Sequence, residues 1–110
     1  MTQYLYDSSG NWVAFRDSEN GKYLYNKDGD WIGWFPWEDE DAVSPDGDYL
    51  GSVIGDRLLR RTGQPYRGYP GYPGYPGYPG YPGYPGYAGY KARPSGFEDV
   101  PEDLLSKRKG

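Results

Sequence analysis

The sequence predicts an all-β fold of short antiparallel β-hairpins, followed by a disordered tail. Two observations indicate this fold class. The first 67 residues contain one pattern four times: a short strand-like run, polar residues, a glycine and a second short run. The next segment, residues 68–90, contains no charged residue and is built on a Gly-Tyr-Pro repeat. The first pattern is typical of hairpins, and the second is typical of segments that do not build a core.

The four units align on a glycine. Residues 4–14 read YLYDSSGNWVA, and residues 23–33 read YLYNKDGDWIG. A weaker copy covers residues 41–51, and a degenerate fourth copy covers residues 57–67. The aligned glycines are separated by 19, 18 and 16 positions: Gly10, Gly29, Gly47 and Gly63. Each unit therefore has the length of one hairpin plus a connection, too short for a βαβ element.

The residues before each glycine predict the turn type. Three positions earlier stands Asp, Asn or Ser, with Arg60 in the last unit, and two more residues follow it. This pattern predicts a type I turn closed by a glycine with positive φ. The residue three before the glycine then faces the residue one after it, and the first pairs outward from there are predicted to be Tyr6–Trp12, Tyr25–Trp31, Val43–Tyr49 and Leu59–Pro65. The next pairs outward are Leu5–Val13, Leu24–Ile32, Ala42–Leu50 and Leu58–Tyr66.

Alternation along the strands gives each hairpin an aliphatic face and an aromatic face. Neither face is polar, and a lone hairpin is marginal in water, so the four are expected to pack together. One face makes the shared core, and the other lines a pocket, an oligomer interface or a membrane-facing surface. The small residues Ala14, Gly33 and Gly51 are expected where neighbouring hairpins approach most closely.

These units resemble the four-fold β-flower family, most clearly in residues 25–33, which read YNKDGDWIG. The resemblance covers roughly residues 3–67. It implies a small, shallow bowl or barrel with pseudo-four-fold symmetry, and it implies no activity. Pro65 departs from the pattern because it removes a ladder donor, so the last strand is expected at an edge. The shape is similar to tubby-like and scramblase-like barrels, which suggests lipid association by analogy alone.

The sequence divides into three parts. Residues 1–67 are predicted to be the hairpin domain, and residues 68–90 a low-complexity linker, here called the array. The array reads Gly-Tyr-Pro six times and ends at Tyr90. It predicts a flexible chain with local polyproline II character, whose evenly spaced tyrosines associate with other tails, membranes or proteins. Residues 91–110 are predicted to be a polar tail with a short helix over 101–108.

Composition excludes several functions. The chain has no Cys and no His, so the usual thiolate nucleophile and neutral general base are missing. No catalytic set is recognisable, and we expect neither an enzyme, a cofactor nor a metal site. An EF-hand reading fails because Gly29 at the sixth position puts Leu24 first and Phe35 twelfth. A net charge of −4 argues against a nucleic-acid partner.

Two sets of side chains are candidates for binding. The first is aromatic and stacks on a ligand or lies at a bilayer interface: Trp34, Trp37, Trp12, Trp31, Tyr6 and Tyr25. Trp34 and Trp37 are expected to be the most exposed, whereas core or oligomer packing is the competing interpretation for Trp12 and Trp31. The second set binds an anion or a lipid head group, or forms a charged sheet edge: Arg57, Arg60, Arg61 and Arg67. The acidic run 38–41 is expected to be a solvated loop.

We therefore expect a non-catalytic binding or structural module. Its leading ligand class is a lipid, a membrane surface or another amphipathic ligand, bound through an aromatic face, with a homo-oligomer as the expected assembly. The alternatives are a carbohydrate- or choline-binding aromatic hairpin array and a self-assembly protein that acts through its tyrosine-rich tail. The first residues lack the charged and apolar regions of a secretory signal, which predicts a cytoplasmic location, peripheral to the membrane.

Overall fold

The computed structural model describes residues 2–19, 21–63 and 67–106. These residues form eight strands and one short helix. The strands are β1 (Gln3–Tyr6), β2 (Trp12–Arg16), β3 (Tyr23–Asn26), β4 (Trp31–Trp34), β5 (Asp41–Val43), β6 (Tyr49–Ile54), β7 (Arg57–Arg61) and β8 (Phe97–Asp99), and the helix is α1 (Glu102–Leu105).

The strands form one sheet in chain order, and sequence neighbours pair antiparallel. The sheet closes because Tyr6 at the end of β1 pairs with Arg57 at the start of β7. Across this seam the Tyr6 N–H donates to the Asp56 carbonyl at 2.9 Å. Strands β1 to β7 therefore form a closed barrel, and β8 pairs with the second half of β7. The predicted all-β hairpin architecture is confirmed.

The turns of the first three hairpins have the predicted conformation. Gly10, Gly29 and Gly47 have φ angles of 95°, 87° and 92°. In each turn the glycine N–H donates to the carbonyl of the residue three positions earlier, at 3.1, 3.0 and 2.9 Å respectively. Because residues with a Cβ are strained at such φ angles, glycine is the residue that this turn requires.

The strand register agrees with the prediction only next to each turn. The first pairs are as predicted: Tyr6–Trp12, Tyr25–Trp31 and Val43–Tyr49. Leu5 then faces Ala14 rather than Val13, and the next two hairpins show the same shift by one residue. The outward pairs predicted beyond the first are therefore wrong. Each second strand contains a β-bulge, which bends the strand and increases its twist.

Aliphatic side chains fill the barrel interior. The buried cluster contains Leu5, Ala14, Leu24, Ile32, Phe35, Ala42, Leu50, Leu58 and Val100. All four hairpins contribute to it, so none of them has a core of its own. Of the two faces that the alternation produces, the aliphatic one is the core.

Gly33 and Gly51 lie where neighbouring hairpins approach each other, as predicted. A Cβ at Gly33 would lie 2.5 Å from the Val43 carbonyl oxygen, and a Cβ at Gly51 would lie 2.9 Å from that of Leu59. Neither distance leaves room for a side chain. The small residues therefore allow adjacent hairpins to pack closely.

The fourth hairpin differs from the prediction. Strand β7 pairs with β8, which follows the array: Leu59 faces Asp99 and Arg61 faces Phe97. The predicted partner segment 65–67 is therefore wrong; Pro65 and Tyr66 themselves lie outside the described residues. The left-handed turn glycine is Gly96, at φ 85°, whereas Gly63 does not have positive φ.

The array is an insertion in the loop of this fourth hairpin. The Thr62 N–H donates to the Gly96 carbonyl at 2.9 Å, which brings the two ends of the loop together. Val100, just after β8, belongs to the buried cluster. The sheet and the core thus extend past the predicted boundaries at residues 67 and 90.

The predicted helix over 101–108 is observed at Glu102–Leu105, with Pro101 at its N-cap; Lys107 and Arg108 lie outside the described residues. Leu104 and Leu105 pack against the interior cluster. The Asn26 side chain donates to the Leu105 carbonyl at 3.0 Å. Helix α1 therefore lies against the end of the barrel at which the turn of the second hairpin is found.

Candidate functional site

The outer face of the first two hairpins is aromatic. Trp12, Phe15 and Tyr25 form a second buried cluster, and partly buried rings pack against it: Tyr4, Tyr6, Tyr23 and Trp31. These residues point outward because side chains alternate along a strand. The array covers much of this face.

Trp31 contacts two tyrosines of the array. The ring centroids of Tyr72 and Tyr75 lie 5.8 and 5.6 Å from that of Trp31. Tyr23 meets Trp31 edge-on at 6.0 Å, and its hydroxyl donates to the Pro73 carbonyl at 3.4 Å. We call these five residues the Trp31 site. Rings tilted at such separations attract each other beyond their area burial.

Trp12 is surrounded in the same way. The ring centroids of Tyr81 and Tyr84 lie 5.9 and 6.0 Å from that of Trp12. Tyr4 meets Trp12 edge-on at 5.7 Å, and its hydroxyl donates to the Pro82 carbonyl at 2.9 Å. We call these five residues the Trp12 site. It repeats the Trp31 site element by element.

Each indole is oriented by a hydrogen bond within its own strand. Trp12 Nε1–H donates to the Ala14 carbonyl at 2.8 Å, and Trp31 Nε1–H donates to the Gly33 carbonyl at 2.7 Å. The polar atom of each ring is thus satisfied without a ligand. The ring faces remain for aromatic contacts.

The turn glycines of the hairpins also contact the array. A Cβ at Gly29 would lie 2.6 Å from the Tyr78 ring, and a Cβ at Gly47 would lie 2.6 Å from the Tyr69 ring. At Gly10 a Cβ would overlap the backbone of Gly89. Glycine is therefore required here for close approach as well as for positive φ.

The end of the array is fixed to the first hairpin by its backbone. Ala88 stands where the six preceding triplets have proline, and its N–H donates to the Gly10 carbonyl at 2.9 Å. Proline has no N–H to donate. The Lys91 N–H donates to the Ser8 carbonyl at 2.8 Å, and the Arg57 guanidinium donates to the Gly89 carbonyl at 2.7 Å. The departure from the repeat at Ala88 thus has a structural reason.

The array, predicted to be a disordered linker, contacts three hairpins in the order third, second, first. Its glycines, from Gly68 to Gly89, have φ angles between 83° and 94°. A polyproline II helix needs φ near −75° at every residue. The expected polyproline II character is therefore interrupted at every third position.

The array tyrosines remain largely exposed although several contact the barrel. Their exposed fractions range from 58% to 74%: Tyr69, Tyr72, Tyr75, Tyr78, Tyr81, Tyr84, Tyr87 and Tyr90. An exposed aromatic surface of this extent is typical of an interaction site. The sequence predicts these rings to be associating groups, but residue types alone do not place them in one site with Trp12 and Trp31.

Tyr6 and Tyr25, predicted to bind ligand, have different surroundings. Tyr25 stacks on Phe15 at 5.3 Å between ring centroids, and burial raises the pKa of its hydroxyl to about 12. Tyr6 is half-buried, and the Arg57 guanidinium lies 5.9 Å from its ring centroid. Tyr25 is therefore part of the outer aromatic packing rather than of a ligand surface.

Trp34 and Trp37, expected to be the most exposed, do not form one surface. Trp34 is 7% exposed and Phe35 is 3% exposed, so the expectation for Trp34 is wrong. Trp34 Nε1 has no hydrogen-bond partner among the described residues. Trp37 is half-buried, and the Arg67 guanidinium lies 3.9 Å from its ring centroid.

The four arginines of the predicted anion site all have carboxylate partners. Arg57 pairs with Asp56 at 2.9 Å, and Arg60 pairs with Glu98 at 3.7 Å. Arg61 and Arg67 both bind Asp41. The structure therefore does not bring the four together as one cationic patch.

Asp41 is the centre of a buried polar network. Burial by itself raises its pKa, but hydrogen bonds from Ser52, Arg61 and Arg67 outweigh that effect and hold the pKa below its ordinary value. The acidic run 38–41 was expected to be a solvated loop, and that expectation is wrong for Asp41, which is 5% exposed. Asp39 and Glu40 are ion-pair partners of Arg67 and Arg61.

A cleft of about 700 Å³ lies beside the Trp12 site. Its walls include Trp12, Tyr81 and Tyr84, and carboxylates from the turns, β8 and α1: Asp7, Asp28, Asp30, Asp99 and Glu102. Among the described residues that line it, Lys27 is the one cationic side chain. Aromatic faces with surrounding carboxylates favour an organic cation over an anion.

The described residues contain neither a membrane-spanning helix nor a metal-binding cluster. None of their helices is long and apolar enough to cross a membrane. No group of three or more carboxylates in residues 2–19, 21–63 and 67–106 has the geometry of a metal site.

Comparison with known proteins gives one match. No curated protein and no solved structure matches the chain. The family model described as 4-fold beta flower protein matches residues 3–101, a range that includes the array and β8. The closed barrel of hairpins agrees with this description, and so does the resemblance seen in the turn sequences. The chain therefore belongs to the 4-fold beta flower protein family.

Proposed function

We propose that this chain is a non-catalytic interaction module that presents the array tyrosines to other copies of itself. The observation behind this proposal is the row of eight tyrosines, 58% to 74% exposed, on a segment that contacts the barrel along its length. Tyrosine combines a large apolar surface with a hydrogen-bonding hydroxyl, which is why it is enriched in protein interfaces. The lack of His and Cys supports a non-catalytic role.

Fixing the array to the barrel favours association. A free chain loses conformational entropy when it binds, whereas a segment already held by backbone hydrogen bonds loses less. The bonds from Ala88 to Gly10 and from Lys91 to Ser8 provide such anchoring. The rings are therefore presented at reduced entropic cost.

The path of the array favours a multivalent partner. It runs along the third, second and first hairpins, so its rings are distributed around the side of the barrel. A flat bilayer can contact only the tyrosines on one side of the barrel, whereas several copies of the chain can contact tyrosines on different sides. Several weak contacts then add to a larger avidity.

Sedimentation velocity over a series of protein concentrations tests this proposal. The full chain is expected to increase in average mass with concentration. A variant with Tyr69→Ser, Tyr78→Ser, Tyr87→Ser and Tyr90→Ser keeps the rings that contact Trp12 and Trp31, and it is expected to stay monomeric. A full chain that remains monomeric at the highest soluble concentration would sink the proposal.

A second candidate function is recognition of a choline-like cation, free or as a lipid head group. The cleft beside the Trp12 site supports it, because three aromatic and five carboxylate residues of the described chain line that cleft, four of the carboxylates besides Asp99, which pairs with Arg93. Lipid binding and choline binding, both expected from the sequence, are thus kept as candidate functions. The four arginines are not part of this candidate, because their carboxylate partners reduce the positive charge that an anionic lipid would meet.

Two probes separate the sources of this cation. Choline chloride is titrated into the full chain with tryptophan fluorescence as the readout, and phosphatidylcholine vesicles are co-sedimented with it. Saturable quenching that Trp12→Leu removes is expected for a real site. Vesicle binding without any response to choline points to the bilayer surface, and no response to either probe removes this candidate.

A further inference from the structure

The Trp12 and Trp31 sites are two copies of one binding arrangement. In each, a tryptophan contacts two array tyrosines three positions apart, and the carbonyl of the proline after the first of them accepts from a barrel tyrosine. The barrel supplies Tyr4 and Trp12 to the Trp12 site, and it supplies Tyr23 and Trp31 to the Trp31 site. The recognised sequence is thus Tyr-Pro-Gly-Tyr in both copies.

The array is in register with the hairpins. Tyr72 and Tyr81 are nine positions apart, and so are Tyr75 and Tyr84. The same step relates Tyr69, which contacts Gly47, to Tyr78, which contacts Gly29. Three triplets of the array therefore correspond to one hairpin of the barrel.

We infer that the outer face of these two hairpins is a receptor for Tyr-Pro-Gly-Tyr segments, and that the array of a second copy of this chain fills it when the chain's own array is displaced. The inference rests on the proposed function only in its choice of partner. A segment of the required chemistry is already seated on the face, and every copy of the chain contains that segment.

The register explains why a second copy fits. A slide of the array by three triplets places Tyr72 and Tyr75 at the Trp12 site or, in the other direction, Tyr81 and Tyr84 at the Trp31 site, so equivalent residues fill one of the two sites. Among the described residues, the bonds from Ala88 to Gly10, from Lys91 to Ser8 and from Arg57 to the Gly89 carbonyl hold the chain's own array in one register. An array from another molecule satisfies the ring contacts without those bonds.

Each recognition element has a chemical reason. The proline carbonyl accepts the hydrogen bond from the barrel tyrosine hydroxyl, and the proline has no N–H that would need a partner of its own. The glycine φ angles, between 83° and 94° along the array, are disfavoured for other residues. A segment in which serine replaces the tyrosines keeps this backbone but loses both ring contacts.

Two full-length variants test the inference by complementation. The receptor variant has Tyr72→Ser, Tyr75→Ser, Tyr81→Ser and Tyr84→Ser, so its sites lack their own rings. The donor variant has Trp12→Leu and Trp31→Leu, so its array lacks its own sites. A hetero-complex in sedimentation velocity is expected in the mixture, together with a change in receptor tryptophan fluorescence. Folding of both variants is checked by far-UV circular dichroism.

A peptide titration gives a second measurement that does not need the donor variant. A peptide of four Tyr-Pro-Gly triplets is expected to saturate the receptor variant, and a peptide of four Ser-Pro-Gly triplets is the matched control. If the receptor variant does not fold, the variant with only Tyr81→Ser and Tyr84→Ser is titrated instead. A folded receptor that ignores both the peptide and the donor overturns the inference.

The result is distinguishable from that of the proposed function. Association of the unaltered chain, lost when Tyr69, Tyr78, Tyr87 and Tyr90 are replaced, concerns the array rings that do not contact Trp12 or Trp31. Such association without receptor–donor binding contradicts only the inference. Receptor–donor binding by a chain that is monomeric when unaltered contradicts only the proposed function.

Discussion

The interior and the outer aromatic face of the barrel arise from the same strand alternation but are covered in different ways. The interior is sealed by the sheet itself, because each hairpin directs aliphatic side chains such as Leu24 and Ile32 inward. The outer rings Trp12 and Trp31 are covered by the array, a segment that begins only at Gly68, after all seven barrel strands. A hairpin repeat with two apolar faces buries only one of them inside the barrel. The other face must be covered by a segment from outside the repeat.

The largest effect is expected from a change inside the barrel. Leu24→Ala removes a side chain with no exposed surface and should lower the free energy of unfolding by about 2–5 kcal/mol. Tyr75→Ser on the outer face should cost only about 0.5–1.5 kcal/mol, because it removes one ring contact. Urea unfolding followed by far-UV circular dichroism measures both. Equal losses would contradict the distinction between the two faces.

The next effect tests which residues complete the fourth hairpin. Gly96 has positive φ, and Gly96→Ala should cost about 1–2 kcal/mol. Gly63→Ala is the matched control, since Gly63 does not have positive φ and an added Cβ would have no atom of the described residues within 4 Å. Thermal unfolding of the two variants measures both losses of stability and shows which glycine forms the turn. A larger loss for Gly63→Ala would restore the turn that the sequence alone predicted.

A smaller effect concerns the end of the array. Ala88→Pro removes the N–H that binds the Gly10 carbonyl, which should cost about 0.5–1.5 kcal/mol. Ala88→Ser keeps that N–H and should have little effect. Hydrogen exchange at Lys91 is the readout, because its N–H binds Ser8 in the same region. Unchanged protection of Lys91 in Ala88→Pro would mean that this bond does not hold the array.

The smallest effect is expected at the start of the array, where Arg67 binds Asp39 and Asp41. The pKa of Asp41 is lowered in the folded chain, so its stabilisation is present above the ordinary carboxyl pKa and is lost as pH falls through the lowered value. Solvent around Arg61 and Arg67 reduces the size of this effect. Unfolding followed from neutral to acidic pH should show a smaller acid loss in Asp41→Asn. An identical acid loss in that variant would exclude Asp41 as the source.

The candidate site was only partly predictable from residue types. Trp12 and Trp31 were identified, yet the four arginines were grouped by their proximity in sequence, whereas Asp41, Asp56 and Glu98 divide them in space. The array tyrosines were not assigned to the same site as the tryptophans. One signal was present: Pro94-Ser95-Gly96 after the array resembles Pro45-Asp46-Gly47, and Gly96 has positive φ just before β8.

The sequence by itself determined the first three turns and the two faces of each hairpin, because glycine φ and strand alternation are local properties. Only the tertiary structure decided the bulged register, the pairing of β7 with β8 and the seat of the array. These features depend on contacts between residues far apart in the chain. A Gly-Tyr-Pro repeat offers the same rings in every triplet, so its register comes from the spacing of the hairpins and from the hydrogen bonds at its end, made by Ala88, Gly89 and Lys91.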